Sequence, residues 1–301
     1  MDNLTMDSFA TSVSGLGAAW DVSAPAAQTM PVVFASPHSG SDYPPDFVAR
    51  SRLDAMALRK SEDSFVDELF AGVAEEGAPL LKALFPRAYV DPNREPFELD
   101  PAMFDEVLPD YANTRSPRIA SGLGTIARVV ASGEEIYRGK LRFADALERV
   151  NRLYRPYHAA LSSLIQATES RFGHTILIDC HSMPSIAGPM DEDSGRRRFD
   201  IVLGDCHGTS CAAALTDLVE GFLTGRGYEI VRNNPYAGGY TTRHYGAPGE
   251  RVHALQIEIN RALYMNEATI ERGPELARIA HDMRALAAHL RERLPTLLQA
   301  D

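Results

Sequence analysis

T-I-L-I-D-C-H-S-M, residues 175–183, decides how this chain is read. Thr175–Ile178 is a short, unbroken run of apolar and β-branched side chains. That is the pattern of a strand buried on both faces, as in a parallel sheet covered by helices. A carboxylate, a thiol, an imidazole and a hydroxyl follow at Asp179, Cys180, His181 and Ser182, and Pro184 closes the stretch. Ligands of open α/β sheets bind in the crevice at the carboxyl ends of the strands, which puts His181 at a working edge. The plainer reading makes Asp179 and Ser182 loop caps and His181 a satisfied core histidine.

Two further strands point the same way. Pro31–Ser36 is a second buried run and leads into Pro37-His38-Ser39-Gly40, so a second histidine stands just past a strand end, beside a glycine that allows close backbone approach. His253–Asn260 alternates, with Leu255, Ile257 and Ile259 on one face and Gln256, Glu258 and Asn260 on the other. A glutamate in an inner strand is costly unless paired or functional, which makes Glu258 a candidate for chemistry.

Ser61-Glu62-Asp63-Ser64 predicts a helix start, since Phe65, Val66, Leu69, Phe70 and Val73 follow at helical spacing and Gly77 ends it. Acid in a first turn serves the helix dipole. Alternatively, Glu62 or Asp63 gives a carboxylate to a metal also held by His38 and His181, the ligand chemistry of catalytic zinc. Strands are predicted over Pro79–Phe85 and Arg87–Asp91. Pro92 and Pro96 then hold Asn93 and Arg94 in a stiff loop. An arginine beside an asparagine can clamp a carboxylate or an oxyanion. The alternative is a surface salt bridge among Asp91, Arg94, Glu95 and Glu98.

Residues 101–140 read as irregular connection, and Leu141–Phe172 as a helix interrupted at Pro156, with His158 a packing residue. Pro184–Phe199 is a loop carrying Asp191-Glu192-Asp193 and Arg196-Arg197-Arg198, either a solvated face or a lid. Asp200–Gly204 and Tyr228–Arg232 read as strands, Asp205 and His207 as loop residues, and Thr209 or Ser210 as the cap of a helix carrying Leu215, Val219 and Leu223. In the stretch 234–246, two glycines, hydroxyls, aromatics and Arg243 suit a loop around a small polar ligand, with Tyr240, Thr242 and Arg243 as contacts. A last helix from about Pro274 turns Leu276, Ile279, Met283, Leu286 and Leu290 inward. Residues 1–30 read as an N-terminal arm with Trp20 pinned to the body, and the rest as one large α/β domain or two smaller ones.

The 301 residues are 45% hydrophobic, enough for a sizeable core. A net charge of -11 argues against nucleic acid and anionic membrane surfaces as partners, so an anionic substrate would need a local arginine cluster. Cys180, Cys206 and Cys211 give no disulfide framework, and the first residues carry acid where a signal peptide needs base. The expectation is a cytoplasmic protein.

S-P-H-S-G (36–40), Y-V-D-P-N-R (89–94), Y-R-P-Y-H (154–158), D-C-H-S (179–182) and G-G-Y-T-T-R-H-Y-G (238–246) with Q-I-E (256–258) occur in the order seen in N-formylglutamate amidohydrolases. The resemblance covers about residues 31–265. It implies a single-domain, three-layer αβα fold with a mixed, mostly parallel sheet, similar to the zinc exopeptidases. It also implies zinc-dependent hydrolysis of N-formyl-L-glutamate to formate and L-glutamate, closing histidine breakdown. His38 and His181 resemble the histidine ligands, and Asp63 falls where the family has an acid, although Glu62 is adjacent. Glu258 would then exchange protons with water and the leaving amine. Arg94, with Asn93, would hold the oxyanion or the α-carboxylate, and Arg243 the second carboxylate. The alternative substrate is another N-acyl amino acid or a short peptide, cleaved by a zinc amidase or carboxypeptidase. A Cys180 nucleophile is disfavoured, since adjacent strand residues point to opposite faces.

Overall fold

The computed structural model describes residues 18–188 and 194–297, so Asp191-Glu192-Asp193 lies outside the described residues. The strands of its main sheet are β1 (Trp20–Ser23), β2 (Val32–Ser36), β3 (Leu80–Ala83), β4 (Thr175–Met183), β5 (Ile201–Gly204), β6 (Ile230–Arg232) and β7 (Val252–Asn260). They form a single seven-stranded sheet in the order β1-β3-β2-β4-β7-β5-β6. The centre, β3-β2-β4-β7, is parallel; β1 and β5 join it antiparallel, and β6 runs parallel to β5. The helices are α1 (Pro45–Arg50), α2 (Ala55–Arg59), α3 (Val66–Leu69), α4 (Pro117–Ala120), α5 (Phe143–Arg149), α6 (Arg155–Phe172), α7 (Ala213–Gly225), α8 (Tyr240–Tyr245) and α9 (Leu276–Leu297).

The period of two along each strand sorts side chains into two cores. Phe34, Ile176, Ile178, Cys180, Leu255, Ile257 and Ile259 face α3, α7 and α9, whose Leu69, Leu215, Val219, Met283 and Leu286 complete one layer. Val33, Ala35, Leu177 and Ala254 face α6, where Tyr157, Leu161 and Ile165 pack. On that second face the apolar series stops. After Leu177 and Ala254 the next inward residues are Asp179, His181, Gln256 and Glu258, all buried. The polar switch therefore comes at the carboxyl ends of the strands, on the face shared with α6.

Several local expectations are corrected. The stretch before residue 31 is not all arm, because Trp20–Ser23 pairs with Ala83–Leu80 as an edge strand. Arg87–Asp91 is a turn rather than a strand, since Pro86 cannot donate to a ladder and its carbonyl takes the Tyr89 N–H. The helix after Ser61 starts only at Val66, because Phe65 has φ 67. Glu62 and Asp63 lie in the turn ahead of it, and the Asp63 N–H donates to the His38 carbonyl. Neither Thr209 nor Ser210 caps α7, whose N-cap is Ala212. The helix broken at Pro156 resolves as α5, a π-helical turn over Val150–Tyr154, and α6. Pro156 has no N–H to continue a regular ladder at that point.

Gly40 ties β2 to β3. A Cβ there would overlap the carbonyls of Leu84 and Phe85, which are backbone and cannot swing away. Gly40→Ala is therefore expected to cost about 1–3 kcal/mol, read as a lower midpoint in urea unfolding. An unchanged midpoint would contradict this close approach.

Candidate active site

Three chain segments meet beyond the end of the second core. His38 follows β2, His181 lies on β4, and Asp63 is held to the His38 loop by its own backbone hydrogen bond. One donor atom from each lies within 4.8 Å of the others, and all three residues are buried. Asp63 Oδ2 is 3.0 Å from His181 Nδ1 and 3.3 Å from His38 Nδ1. The latter contact is not a hydrogen bond, and His38 Nδ1 is a buried polar atom with no hydrogen-bond partner. An atom so placed, beside a second imidazole nitrogen and a carboxylate oxygen, suits a cation. Bonds of about 2.0–2.2 Å would put such donors roughly 3.3 Å apart in a tetrahedron.

The far nitrogen of each imidazole faces an acid, and that of His181 also meets the Asn93 amide at 3.2 Å. His38 Nε2 donates to Asp91 Oδ1 at 2.7 Å, and His181 Nε2 lies 2.9 Å from Asp179 Oδ1. Carboxylates on the far nitrogen orient metal-binding histidines and raise their basicity. The acids are themselves restrained: Arg87 donates to Asp91 at 2.8 Å, Arg261 to Asp63 Oδ1 at 2.9 Å, and the Thr242 hydroxyl to Asp179 at 3.1 Å. Burial alone would raise the Asp63 carboxyl. The hydrogen bond from His181 and the charges of the neighbouring His38 imidazole and of Arg261 hold it well below the usual range. Glu62 is turned away, accepting from Tyr43, Arg59 and Ser64.

The loop carrying Asp91, Asn93 and Arg94 is pinned by α6 and the turn before it. His158 Nε2 donates to the Pro92 carbonyl at 2.8 Å, and the Tyr154 hydroxyl to the Arg94 carbonyl at 2.7 Å. Asn93 Oδ1 accepts the Thr241 N–H at 2.8 Å, and Gly239 sits so close to Asn93 that a Cβ there would overlap its side chain. His158 is thus a packing residue that also braces the site.

Glu258 stands opposite His181 in the β4–β7 register and accepts from Gln256 Nε2 at 2.8 Å. Burial lifts its carboxyl to about 7. It opens on a cleft of about 500 Å³ whose charged lining is Arg87, Arg94, Arg118, Arg243 and Arg261 against Asp63, Asp91 and Glu258. Burial, with the charges of Arg87 and Arg118, pushes Arg94 down to about 10. A protein of net charge -11 has here a locally basic pocket.

The structure brings His38, Asp63, His181, Glu258, Asn93, Arg94 and Arg243 together around this cleft. Tyr240 and Thr242 do not line the cleft. Both lie on α8, which turns Thr242 back onto Asp179 and Tyr240 onto His158 and His244. Cys180 faces the opposite core. Arg87, Arg118 and Arg261 were not singled out from sequence. Arg261 owes its role to Asp63, distant in the chain, for which spacing gives no signal, whereas Arg87 pairs with Asp91 four residues on, across a stretch that reads as a strand and forms a turn.

Fold and site define a class: an α/β protein whose strand ends carry a group able to bind a metal beside a buried glutamate and an arginine-lined cleft. A family model for N-formylglutamate amidohydrolase matches residues 30–265. An N-formylglutamate deformylase of Pseudomonas aeruginosa PAO1 is 31% identical over 89% of this chain and 93% of its own length. One from Pseudomonas putida is 26% identical over 79% and 83% respectively. The crystal structure of an N-formylglutamate amidohydrolase from Ralstonia eutropha JMP134 superposes with a TM-score of 0.84, at 38% identity, over 92% of this chain and 98% of that one. The chain belongs to the N-formylglutamate amidohydrolase family, whose members hydrolyse an amide.

His38→Ala and His181→Ala should each abolish stoichiometric metal retention after dialysis while leaving the far-ultraviolet circular dichroism unchanged. Full metal content in both variants would contradict the assignment.

Proposed function

We propose that this protein is a zinc-dependent amidohydrolase that cleaves N-formyl-L-glutamate to formate and L-glutamate, a closing step of histidine breakdown. The observation that carries the reading is Glu258, a buried carboxylate facing the cleft directly across the sheet from His181. Family membership supports the substrate.

His38, Asp63 and His181 would hold the metal. Zinc bound there supplies a Lewis acid for the amide carbonyl and makes water a stronger acid. Glu258 takes a proton from the attacking water as its oxygen bonds to the formyl carbon. It returns that proton to the departing nitrogen as the C–N bond breaks, so the products are formate and the free amine of glutamate. Gln256 holds Glu258 in place through its 2.8 Å hydrogen bond. Arg94, fixed by its own bonds to the Leu123 and Asn93 carbonyls, meets the oxyanion or the α-carboxylate. Arg243 serves the second carboxylate. The unpaired cysteines support a cytoplasmic setting. Among the described residues no helix is long and apolar enough to cross a membrane.

Formate release from N-formyl-L-glutamate, compared with a panel of other N-acyl amino acids, tests the substrate; preference for another acyl group would overturn it. Glu258→Gln keeps shape and hydrogen bonding without basicity. Its kcat should fall roughly 100- to 10,000-fold with zinc retained. Loss of zinc would instead make Glu258 part of the metal site, and an unchanged kcat would place the base elsewhere.

A further inference from the structure

Each of the five arginines in the cleft can be asked what neutralises it. Arg87 is paired with Asp91 at 2.8 Å and Arg261 with Asp63 at 2.9 Å. Arg94 lies 3.8 Å from Asp91 and gives two hydrogen bonds to carbonyls. Arg243 donates to the Gly238 carbonyl at 2.8 Å and forms no ion pair among the described residues. Arg118 is the extreme case: among the described residues its guanidinium makes neither an ion pair nor a hydrogen bond, although it is half-buried in the cleft wall.

Arg118 is nevertheless firmly mounted. It sits on α4, a single turn that Ser116 caps by accepting the Ile119 N–H. Ser116 is in turn anchored on buried Glu98, and that carboxylate forms no ion pair with Arg118. The Leu123 N–H donates to the Arg118 carbonyl at 2.8 Å, and the Leu123 carbonyl accepts from Arg94 Nε at 2.8 Å. The backbone that positions Arg118 therefore also positions Arg94. Arg118 is close enough for its charge to lower both Arg94 and Arg243, in each case after burial. Of these three guanidiniums only Arg94 has an acid within reach, Asp91, which Arg87 already holds; an anion between them removes the cost of their mutual repulsion. The division of labour follows from the ties. Arg94 is linked through Asp91 to His38, on the side of the reacting centre, whereas Arg118 and Arg243 have no such link.

We infer that Arg118, acting with Arg243, is the subsite for the side-chain carboxylate of the substrate and selects a dicarboxylic N-formyl amino acid over a neutral one. This rests on the proposed hydrolysis, so the test has an arm independent of turnover. Arg118→Gln and Arg118→Lys are compared with the unmodified protein on N-formyl-L-glutamate and on N-formyl-L-glutamine, which has the same shape without the charge. In parallel, L-glutamate and L-glutamine binding is measured by calorimetry.

Arg118→Gln should raise KM for N-formylglutamate roughly tenfold or more, with a much smaller change in kcat, and should move KM for N-formylglutamine by no more than about twofold. Arg118→Lys should recover part of the loss. Equal losses on both substrates would make Arg118 merely structural, and an unchanged KM for N-formylglutamate would overturn the inference outright. If the unmodified protein cleaves neither formyl compound, the hydrolytic reading fails by itself. A preference for L-glutamate over L-glutamine that Arg118→Gln abolishes would still support the subsite, and no such preference would overturn it.

Discussion

The Asp63 carboxylate is the contact on which the site depends. One oxygen is shared by the Nδ1 atoms of His38 and His181, and the other is bound by Arg261. A fully buried carboxylate is unfavourable unless its charge is met, and here three side chains from three segments meet it. The backbone serves the same end. The hydrogen bond from the Asp63 N–H to the His38 carbonyl joins the loop after β2 to the turn before α3. That single tie replaces the regular helix start suggested by the sequence.

The sheet supplies the remaining positions by register alone. With β4 and β7 parallel and in step, His181 faces Glu258 and Asp179 faces Gln256. The same period of two sends Cys180, Ile257 and Ile259 into the opposite core. A slip of one residue would exchange the two sets, burying a carboxylate among aliphatics. The apolar residues of these strands thus fix the chemistry of their polar neighbours.

This arrangement was legible where periodicity speaks. The buried runs at 32–36 and 175–178, and the alternation at 253–260, identify β2, β4 and β7 and with them His38, His181 and Glu258. Legibility ended where tertiary contacts overrule local pattern. Phe65 sits in a left-handed conformation inside what reads as a helix, and α8 forms within a stretch that reads as loop, turning Thr242 onto Asp179. Adjacency alone leaves Glu62 and Asp63 equivalent. They part because Tyr43, Arg59 and Ser64 capture Glu62 while Arg261, far along the chain, reaches Asp63. Trp20–Ser23 could not be read as a strand because it is a short edge segment in a stretch of small residues.

The arrangement also reconciles an acidic protein with an acidic substrate. Charges on exposed acids are screened over about a Debye length, whereas a recessed cleft presents its own charge at short range. The most direct test of the account is a crystal structure of the zinc-loaded protein with anomalous data at the zinc edge. A single strong peak is expected in the cleft, within bonding distance of His38 Nδ1, His181 Nδ1 and Asp63 Oδ2. A peak on the Nε2 side, against Asp91 or Asp179, or none at this centre, would contradict it.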